Sequence, residues 1–316
     1  YDNIPVVSMP KVSALPHPAI TPQQRRVPMA KRLLASRGLL EAVTFSFMPS
    51  AVAKLFQPKG ANAPLVMLAN PISADLDAMR PSILGNLLMA AARNAARGFP
   101  DVGLFEVGPS YLDDTEKGQI LSATGVRVGL HRPRHWEGKP RNVDAFDAKA
   151  DALALLQTFG APVDNLQVLP EAPGYYHPGR SAVLRLGPTI LAQFGELHPT
   201  VLKACDIKGP AVGFEVFLDR IPLPRSKGPA RALLDASPFQ PLERDFAFLV
   251  DATVPADKLT RAAKSADKAP ITVAKGFDLF QGGTLPDGKK SIAFSVTIQP
   301  RGRTLTDQEI GGLSAK

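Results

Sequence analysis

The chain has 316 residues, 45% of them hydrophobic, and is long enough to bury cores in two domains. A single cysteine excludes an intramolecular disulfide framework, and no apolar run approaches the roughly 18–20 residues of a membrane span. The net charge of +8 favours a polyanionic partner, although a moderately basic protein without one can carry the same charge. We therefore expect a cytoplasmic protein with no membrane partner.

The first predicted helix lies in TPQQRRVPMAKRLLASRG, with Thr21 as its N-cap and Pro22 at its first position. Pro28 lies inside this stretch and should kink or restart the helix. The next segment, EAVTFSF, alternates apolar with small polar residues, which predicts a half-buried strand. The apolar face of that strand would consist of Val43, Phe45 and Phe47.

Further helices and strands follow up to about residue 220. SILGNLLMAAARNAARG and VDAFDAKADALALLQTFG have the periodicity of helices, whereas VGLFEVG, SATGVRVGL, SAVLRLG, TILAQFG and AVGFEVFLD have that of strands. The two kinds of element mix without a repeating strand–helix–strand unit. This order predicts an antiparallel α+β module.

The composition changes at residues 221–236, where three prolines, a glycine and basic residues indicate a linker. Beyond it, RDFAFLVD, ITVAKGFDLF and SIAFSVTIQP have the pattern of strands, and PADKLTRAAKSAD and LTDQEIGGLSAK that of helices. The order β-α-β-β-α is a ferredoxin-like unit that lacks its last strand.

The stretch GGTLPDGKKS is one position short of a phosphate-binding P-loop, because Lys290 separates Lys289 from Ser291. A P-loop must lead into a helix, whose N-terminus helps to hold the phosphates. The following SIAFSVTI alternates with period two and predicts a strand, so Asp287 and Gly288 should form the turn of a β-hairpin. The two lysines would then contact nucleic-acid phosphates or simply be solvated at the hairpin tip.

Two sets of motifs together resemble a known family. SPFQPLERDFAFLV, GFDLFQG, GKKSIAFSVTIQ and RTLTDQEI resemble the ferredoxin-fold anticodon-binding domain of bacterial phenylalanyl-tRNA synthetase β subunits. NPISADLDAMRPSILGNLL, LFEVG, FDAKAD, YYHPGRSA and GELHP resemble the class II synthetase-like module of the same subunit. The resemblance implies a lead-in (1–20), a catalytically inactive class II-like module (21–220), the linker (221–236) and a truncated anticodon-binding domain (237–316).

The family's organisation implies the partners. Its β subunit pairs with a catalytic α subunit as an (αβ)2 heterotetramer and binds the anticodon arm of tRNA(Phe), and the complex uses ATP and Mg²⁺. A class II site needs an arginine after its second-motif strand and a glycine-rich strand that ends in arginine, both holding ATP phosphates. LFEVGPSY has Glu106 without such an arginine, and GFEVFLDR ends in Arg220 without the alternating glycines. We expect this chain alone to bind neither ATP nor a metal; the alternative is a stand-alone interaction or regulatory protein.

The resemblance also implies site residues. The family usually has Tyr at the position of Phe280, so a hydroxyl is lost while the aromatic face remains. Phe280 could instead be a sheet-packing ring, Asp278 a turn residue, and Arg244 a partner of Glu243 or Asp245. The implied tRNA contacts are Arg244, Asp278, Phe280, Lys289, Lys290, Ser291 and Arg303. The implied subunit interface consists of Asn70, Pro71, Met79 and Arg80.

Three other residues are candidates for chemistry. His177 and His198 each precede a proline, but they lack metal-ligand spacing, so we expect each to hold a turn. Cys205 has no histidine near it in sequence and is expected to be a buried small side chain and not a nucleophile.

Overall fold

The computed structural model describes residues 1–8, 19–57, 64–223, 233, 236–267 and 270–315. The chain divides into two compact units, Tyr1–Lys227 and Gly228–Lys316. This division falls within the predicted linker (221–236), most of which lies outside the described residues, as does half of the predicted lead-in.

The first unit combines helices and strands in an irregular order. Its helices are α1 (Pro22–Ser36), α2 (Ser50–Ala53), α3 (Leu84–Ala95), α4 (Ala145–Thr158) and α5 (Pro199–Ala204). Its strands are β1 (Leu40–Glu41), β2 (Phe47–Met48), β3 (Ala78–Met79), β4 (Val102–Tyr111), β5 (Gln119–Val128), β6 (Gln167–Leu169), β7 (Tyr176–Leu186), β8 (Thr189–Leu197) and β9 (Ala211–Phe217). Short 3₁₀ turns cover Lys54–Phe56, Glu116–Gly118, Val163–Asn165 and Leu218–Arg220.

Within the described residues, the main sheet has the strand order β1-β4-β5-β9-β8-β7-β6. The pairs are antiparallel except for β1 with β4. Helices cover both faces. On one face, Leu34 of α1 and Leu155 of α4 pack in a core with Phe214 of β9, and on the other, Leu84 and Leu87 of α3 pack in a second core. The predicted antiparallel α+β module is confirmed.

Helix α1 begins as predicted but does not restart at Pro28. Thr21 forms a capping box with Gln24, and Pro22 occupies the first turn as predicted. The helix continues through Pro28. Proline removes one helical hydrogen bond, but the buried Arg26 donates to the Leu218 carbonyl at 2.6 Å and fixes this helix against the end of the sheet.

The predicted strand over EAVTFSF is wrong. Only its ends, in β1 and β2, are extended strands, and Val43 and Phe45 are 87% and 65% exposed. The side chain that points inward is Thr44, whose hydroxyl donates to Glu106 Oε2 at 2.6 Å. The segment therefore turns Thr44 towards the buried Glu106 carboxylate, and Val43 and Phe45 remain on the surface.

The second unit contains β10 (Leu242–Asp251), α6 (Ala256–Ala266), β11 (Ile271–Gln281), β12 (Lys289–Ile298) and α7 (Asp307–Ser314). Among its described residues the sheet order is β10-β12-β11, and both pairs are antiparallel. Phe294, Val296 and Ile298 of β12 form a core with Leu259 of α6 and Leu313 of α7. The β-α-β-β-α order confirms the ferredoxin-like prediction.

The GGTLPDGKKS stretch connects two antiparallel strands, as predicted. Gly282, Gly283 and Gly288 have positive φ angles of 81°, 63° and 74°, which side chains rarely adopt. The chain then enters β12 and not a helix, so the stretch lacks the helix N-terminus that a P-loop requires.

Candidate nucleic-acid and subunit interfaces

One face of the three-stranded sheet turns away from α6 and α7, and we call it the open face. Side chains alternate between the faces of a sheet, and directly paired residues project to the same side. Phe294 and Val296 of β12 pack against the helices. The residues that alternate with them along β12 therefore project to the open face. Its central rows are Leu249–Ser291–Phe280, Ala247–Ala293–Asp278 and Asp245–Ser295–Lys275, and the row Glu243–Thr297–Val273 lies beyond them.

The open face has a flat centre. Its middle strand contributes only small side chains, Ser291, Ala293 and Ser295, whereas the other face of that strand carries large apolar ones. Phe280, on the neighbouring strand β11, lies beside these small side chains and is 49% exposed, so it is not a core ring. Small and large residues alternate in SIAFSVTI, and this pattern could have identified the row of small side chains from sequence alone.

A register shift in β11 keeps two of the predicted tRNA contacts together. The pairing with β12 passes from Gly276–Phe294 to Asp278–Ala293, which leaves Phe277 as the additional residue of a bulge. Asp278 and Phe280 then follow in regular alternation and share the open face, as the sequence predicts for adjacent antiparallel strands.

The predicted cations are less uniformly placed. Lys289 Nζ lies 2.6 Å from Asp251 Oδ1, and Lys290 Nζ donates to the Ala252 carbonyl at 2.7 Å. Arg303 forms two hydrogen bonds with Glu309, of 3.2 and 2.5 Å. The Glu309 carboxylate also caps α7, and hydrogen bonds from Thr306 and then from Arg303 hold its pKa below the ordinary value. Among the described residues Lys290 has no acidic partner, whereas Lys289 and Arg303 each have one.

Arg244 lies on the other side of the sheet, because it pairs in register with the buried Val296. Within the part of the chain that the structure describes, it forms no ion pair with Glu243 or Asp245, the alternative that the sequence left open. The register separates Arg244 from Asp278 and Phe280. Lys275, which is not among the residues that the sequence implies, is a cation on their face.

The four predicted interface residues of the first unit differ in exposure. Asn70 and Pro71 are exposed and Met79 is half-buried, but Arg80 is only 1% exposed. Its guanidinium donates to Glu106 Oε1 at 2.8 Å and to the Pro109 carbonyl at 2.9 Å. Arg80 is therefore an internal residue, and its side chain cannot itself touch a partner in this conformation.

The same part of the surface exposes apolar side chains that the sequence analysis had assigned to the interior. Val43 and Phe45 border a groove of about 350 Å³ with Leu76, Met89 and Arg93, which we call the Phe45 groove. At its wall, Asn86 Nδ2 donates to the Phe45 carbonyl at 3.1 Å, whereas Asn86 Oδ1 is buried without a partner. Such a groove has the composition of a protein contact surface.

A buried polar cluster lies between α3 and the main sheet. Glu215 accepts hydrogen bonds from Ser82 at 2.6 Å, Gln193 at 2.5 Å, Tyr175 at 3.0 Å and Tyr176 at 3.3 Å. Burial raises the pKa of Glu215 above its ordinary value, against the effect of these four donors. All five side chains are nearly inaccessible to solvent, so the cluster satisfies a buried carboxylate and offers no surface to a nucleotide.

Two positions bear on ATP binding, the one that follows Glu106 and that of Arg220. After Glu106, strand β4 continues through Val107, Gly108 and Pro109 without a cation. The Arg220 guanidinium lies 4.2 Å from the centre of the Phe217 ring and stacks on its own segment. These positions supply no pair of arginines that converge on one point.

The remaining candidates have structural roles. His177 Nδ1 accepts from the Gly179 N–H at 3.1 Å and His198 Nδ1 from the Thr200 N–H at 3.2 Å, so each holds a turn as predicted. Cys205 is buried, which raises its thiol pKa to about 11. The described ranges bring no three His, Cys, Asp or Glu side chains together as metal ligands, and none of their helices is long and apolar enough to cross a membrane.

Comparisons with known proteins agree with this two-unit arrangement. Residues 4–218 match the model of the phenylalanyl-tRNA synthetase beta chain CLM domain, and residues 237–316 match that of the ferredoxin-fold anticodon-binding domain. The chain belongs to the phenylalanyl-tRNA synthetase β-chain family. The open face therefore lies in a domain of the anticodon-binding type, and the Phe45 groove lies in the CLM domain.

Similar proteins include phenylalanine–tRNA ligase β subunits. That of Rhodospirillum rubrum is 52% identical over 100% of this chain, and that of Bradyrhizobium diazoefficiens is 48% identical over the same share. The chain spans 39% and 40% of their lengths. A solved pyrrolysyl-tRNA synthetase from Desulfitobacterium hafniense covers 63% of this chain, and the chain covers 67% of it, with 16% identity and a TM-score of 0.47.

Proposed function

We propose that this chain is a non-catalytic part of phenylalanine–tRNA ligase that binds the anticodon arm of tRNA(Phe) with its second unit. The observation that carries the proposal is the open face of an anticodon-binding-type domain, which presents a half-exposed ring beside a carboxylate. Stacking on an aromatic ring and hydrogen bonding to base edges are the usual means of recognising unpaired RNA bases.

Each part of the open face has a distinct task in this proposal. An anticodon base stacks on Phe280 while the Asp278 carboxylate accepts a hydrogen bond from an amino or imino group of a base. The small side chains of β12 let the base approach the sheet closely, and the Ser291 hydroxyl can donate or accept. Lys275 attracts the phosphates on this face, and Lys290, which projects to the other side at the hairpin tip, attracts phosphates that extend beyond the sheet edge. Phe280 lacks the hydroxyl of the usual tyrosine, but stacking depends on the ring face and is retained.

The first unit serves assembly in this proposal. Its exposed Phe45 groove and the neighbouring segment with Asn70 and Pro71 dock a catalytic α subunit, and two such pairs form an (αβ)2 heterotetramer in the cytoplasm. ATP binds at the α subunit, where phenylalanine is activated and attached to its tRNA, and Mg²⁺ serves the assembled enzyme without being held by this chain. The lack of convergent arginines around Glu106 and Arg220 supports this division of work, because phosphate charge must be neutralised for adenylate formation.

The test is to replace Phe280 with alanine and measure tRNA(Phe) affinity in the assembled αβ complex at fixed salt. We expect a loss of about 1–3 kcal/mol, the usual contribution of base stacking, with little change in melting temperature because the ring is half exposed. The matched control is Leu279→Ala, which removes a similarly exposed side chain from the opposite face of β11.

Equal effects of the two substitutions would contradict the stacking role, as would a Phe280→Ala variant that melts several degrees lower while its folded fraction binds tRNA normally.

A second candidate function is an interaction or regulatory protein. The acidic residues Asp245 and Asp278 on the open face favour it, because they repel phosphates. Failure of the wild-type αβ complex to bind tRNA(Phe) would favour this alternative.

A further inference from the structure

An ordered hairpin projects from the first unit between β5 and α4. Leu130 pairs with Asn142 and His135 with Gly138 in isolated β-bridges. The His131 N–H donates to the Arg141 carbonyl at 2.9 Å. We call residues 130–142 the Trp136 hairpin. Neither the anticodon-binding nor the docking proposal uses it.

The base of the Trp136 hairpin is firmly attached. Arg141 donates to Asp147 through two hydrogen bonds of 2.8 and 2.6 Å and to Asp144 at 3.3 Å. His131 Nδ1 lies 3.0 Å from Asp147 Oδ1, and the Leu130 N–H donates to Asp101 at 2.8 Å. Arg141 therefore attaches the second strand of the hairpin to the acidic start of α4, and the Leu130 N–H attaches the first strand to Asp101.

The tip exposes the chain's only tryptophan. Trp136 is 95% exposed, whereas tryptophan is usually among the most buried residues on average. Below it, the Glu137 N–H donates to His135 Nδ1 at 3.2 Å and closes the turn. Residues 134–140 together form a concave surface at this tip.

The tip also carries uncompensated positive charge. Arg132, Arg134 and Lys139 are exposed and, within the described residues, none of them has an ion-pair partner. The one acidic side chain between residues 131 and 142 is Glu137, and Trp136 is the one large apolar side chain. The hairpin therefore presents a single aromatic ring among cations.

We propose that the Trp136 hairpin binds unpaired RNA: Trp136 stacks on a base, and Arg132, Arg134 and Lys139 contact the adjoining phosphates. The combination of an aromatic platform with cations is that of single-stranded nucleic-acid sites. A protein partner fits less well, because this hairpin offers no apolar neighbour with which the ring could form the apolar centre of a protein interface. The identity of the RNA as tRNA rests on the proposed function.

The test measures tRNA(Phe) affinity of the assembled αβ complex for hairpin variants. We expect Trp136→Ala to weaken binding by roughly 5- to 150-fold, the range that corresponds to loss of one stacked base, and Trp136→Phe to keep most of the affinity. Replacing Arg132, Arg134 and Lys139 with glutamine should lower the slope of log affinity against log salt by about one for each phosphate that is no longer neutralised. The control is Phe146→Ala, which removes another exposed ring of this unit.

The outcomes separate the two proposals. If the wild-type complex binds tRNA and Phe280→Ala weakens it, but the hairpin variants bind as the wild type does, the hairpin proposal is overturned and the proposed function stands. If Trp136→Ala instead weakens assembly with the α subunit and leaves tRNA affinity of the assembled complex unchanged, the hairpin is a protein contact and the proposal is likewise overturned. A wild-type complex that binds no tRNA rejects both proposals.

Discussion

Arg80 is a residue whose environment defines its role. Its guanidinium is enclosed by the Glu106 carboxylate at 2.8 Å, the Pro109 carbonyl at 2.9 Å and the Thr44 hydroxyl at 3.0 Å. A Cβ on Gly108 would lie 2.9 Å from the same guanidinium, so the strand beneath it must be free of a side chain. The sequence predicts an interface role for Arg80, but the contacts make it a fixed internal cation.

We therefore expect Arg80→Ala to destabilise the first unit by about 3–5 kcal/mol, because Glu106 would remain buried without its partner. Unfolding by denaturant measures this, and Arg93→Ala, an exposed arginine of α3, is the matched control and should change stability by less than about 0.5 kcal/mol. If Arg80→Ala leaves stability unchanged but disrupts assembly with the α subunit, Arg80 is an interface residue and the internal role is wrong.

At the scale of elements, the alternation of side chains along β12 determines to which face of the sheet each lysine projects. Lys289 projects with the open face and pairs with Asp251, whereas Lys290 projects to the other side, where its ammonium group donates to the Ala252 carbonyl. Exposed ion pairs contribute little to stability, but they reduce the charge available to a phosphate. The two adjacent lysines should therefore differ in their contribution to RNA binding.

We predict that the double variant Lys289→Gln and Lys290→Gln lowers the slope of log tRNA affinity against log salt by up to about one for each phosphate that the lysines neutralise. Lys290→Gln alone should account for most of the change. Titrations of the αβ complex at several salt concentrations measure the slope, with Lys264→Gln on α6 as the control. A slope that stays the same in the double variant would show that the hairpin tip is merely solvated.

At the scale of the whole molecule, the first unit combines the fold of a phenylalanyl-tRNA synthetase beta chain CLM domain with buried polar side chains that pair with one another. Glu215 and its four donors fill the space between α3 and the sheet, and Arg80 neutralises Glu106. No cation follows Glu106 in β4, and Arg220 stacks on Phe217. A fold of this kind does not by itself confer an activity.

We accordingly predict that this chain alone forms no phenylalanyl-adenylate. Phenylalanine-dependent exchange of pyrophosphate into ATP should stay at background for the purified chain and appear when a catalytic α subunit is added. The α subunit mixed with an unrelated basic protein is the control for nonspecific effects. Exchange catalysed by the chain in the absence of an α subunit would contradict the prediction.

Sequence patterns sufficed to predict the features that depend on near neighbours. Thr21 and Pro22 mark the start of α1, and the period-two alternation after Lys290 identifies β12 and excludes a P-loop. The same alternation, applied to β11, places Asp278 and Phe280 on one face. Caps, turns and periodicity are local because they arise from hydrogen bonds and side-chain directions within a few residues.

Contacts between residues far apart in sequence determine which polar groups are buried together and which apolar groups stay on the surface. Arg80 meets Glu106 across 26 residues of chain and Ser82 meets Glu215 across 133, and no local pattern encodes such pairings. Because Thr44 must satisfy Glu106, Phe45 is turned to the surface against its apolar periodicity. If the segment turned over, Glu106 Oε2 would lose its hydrogen bonds from Thr44, and this contact exists only once the sheet has formed.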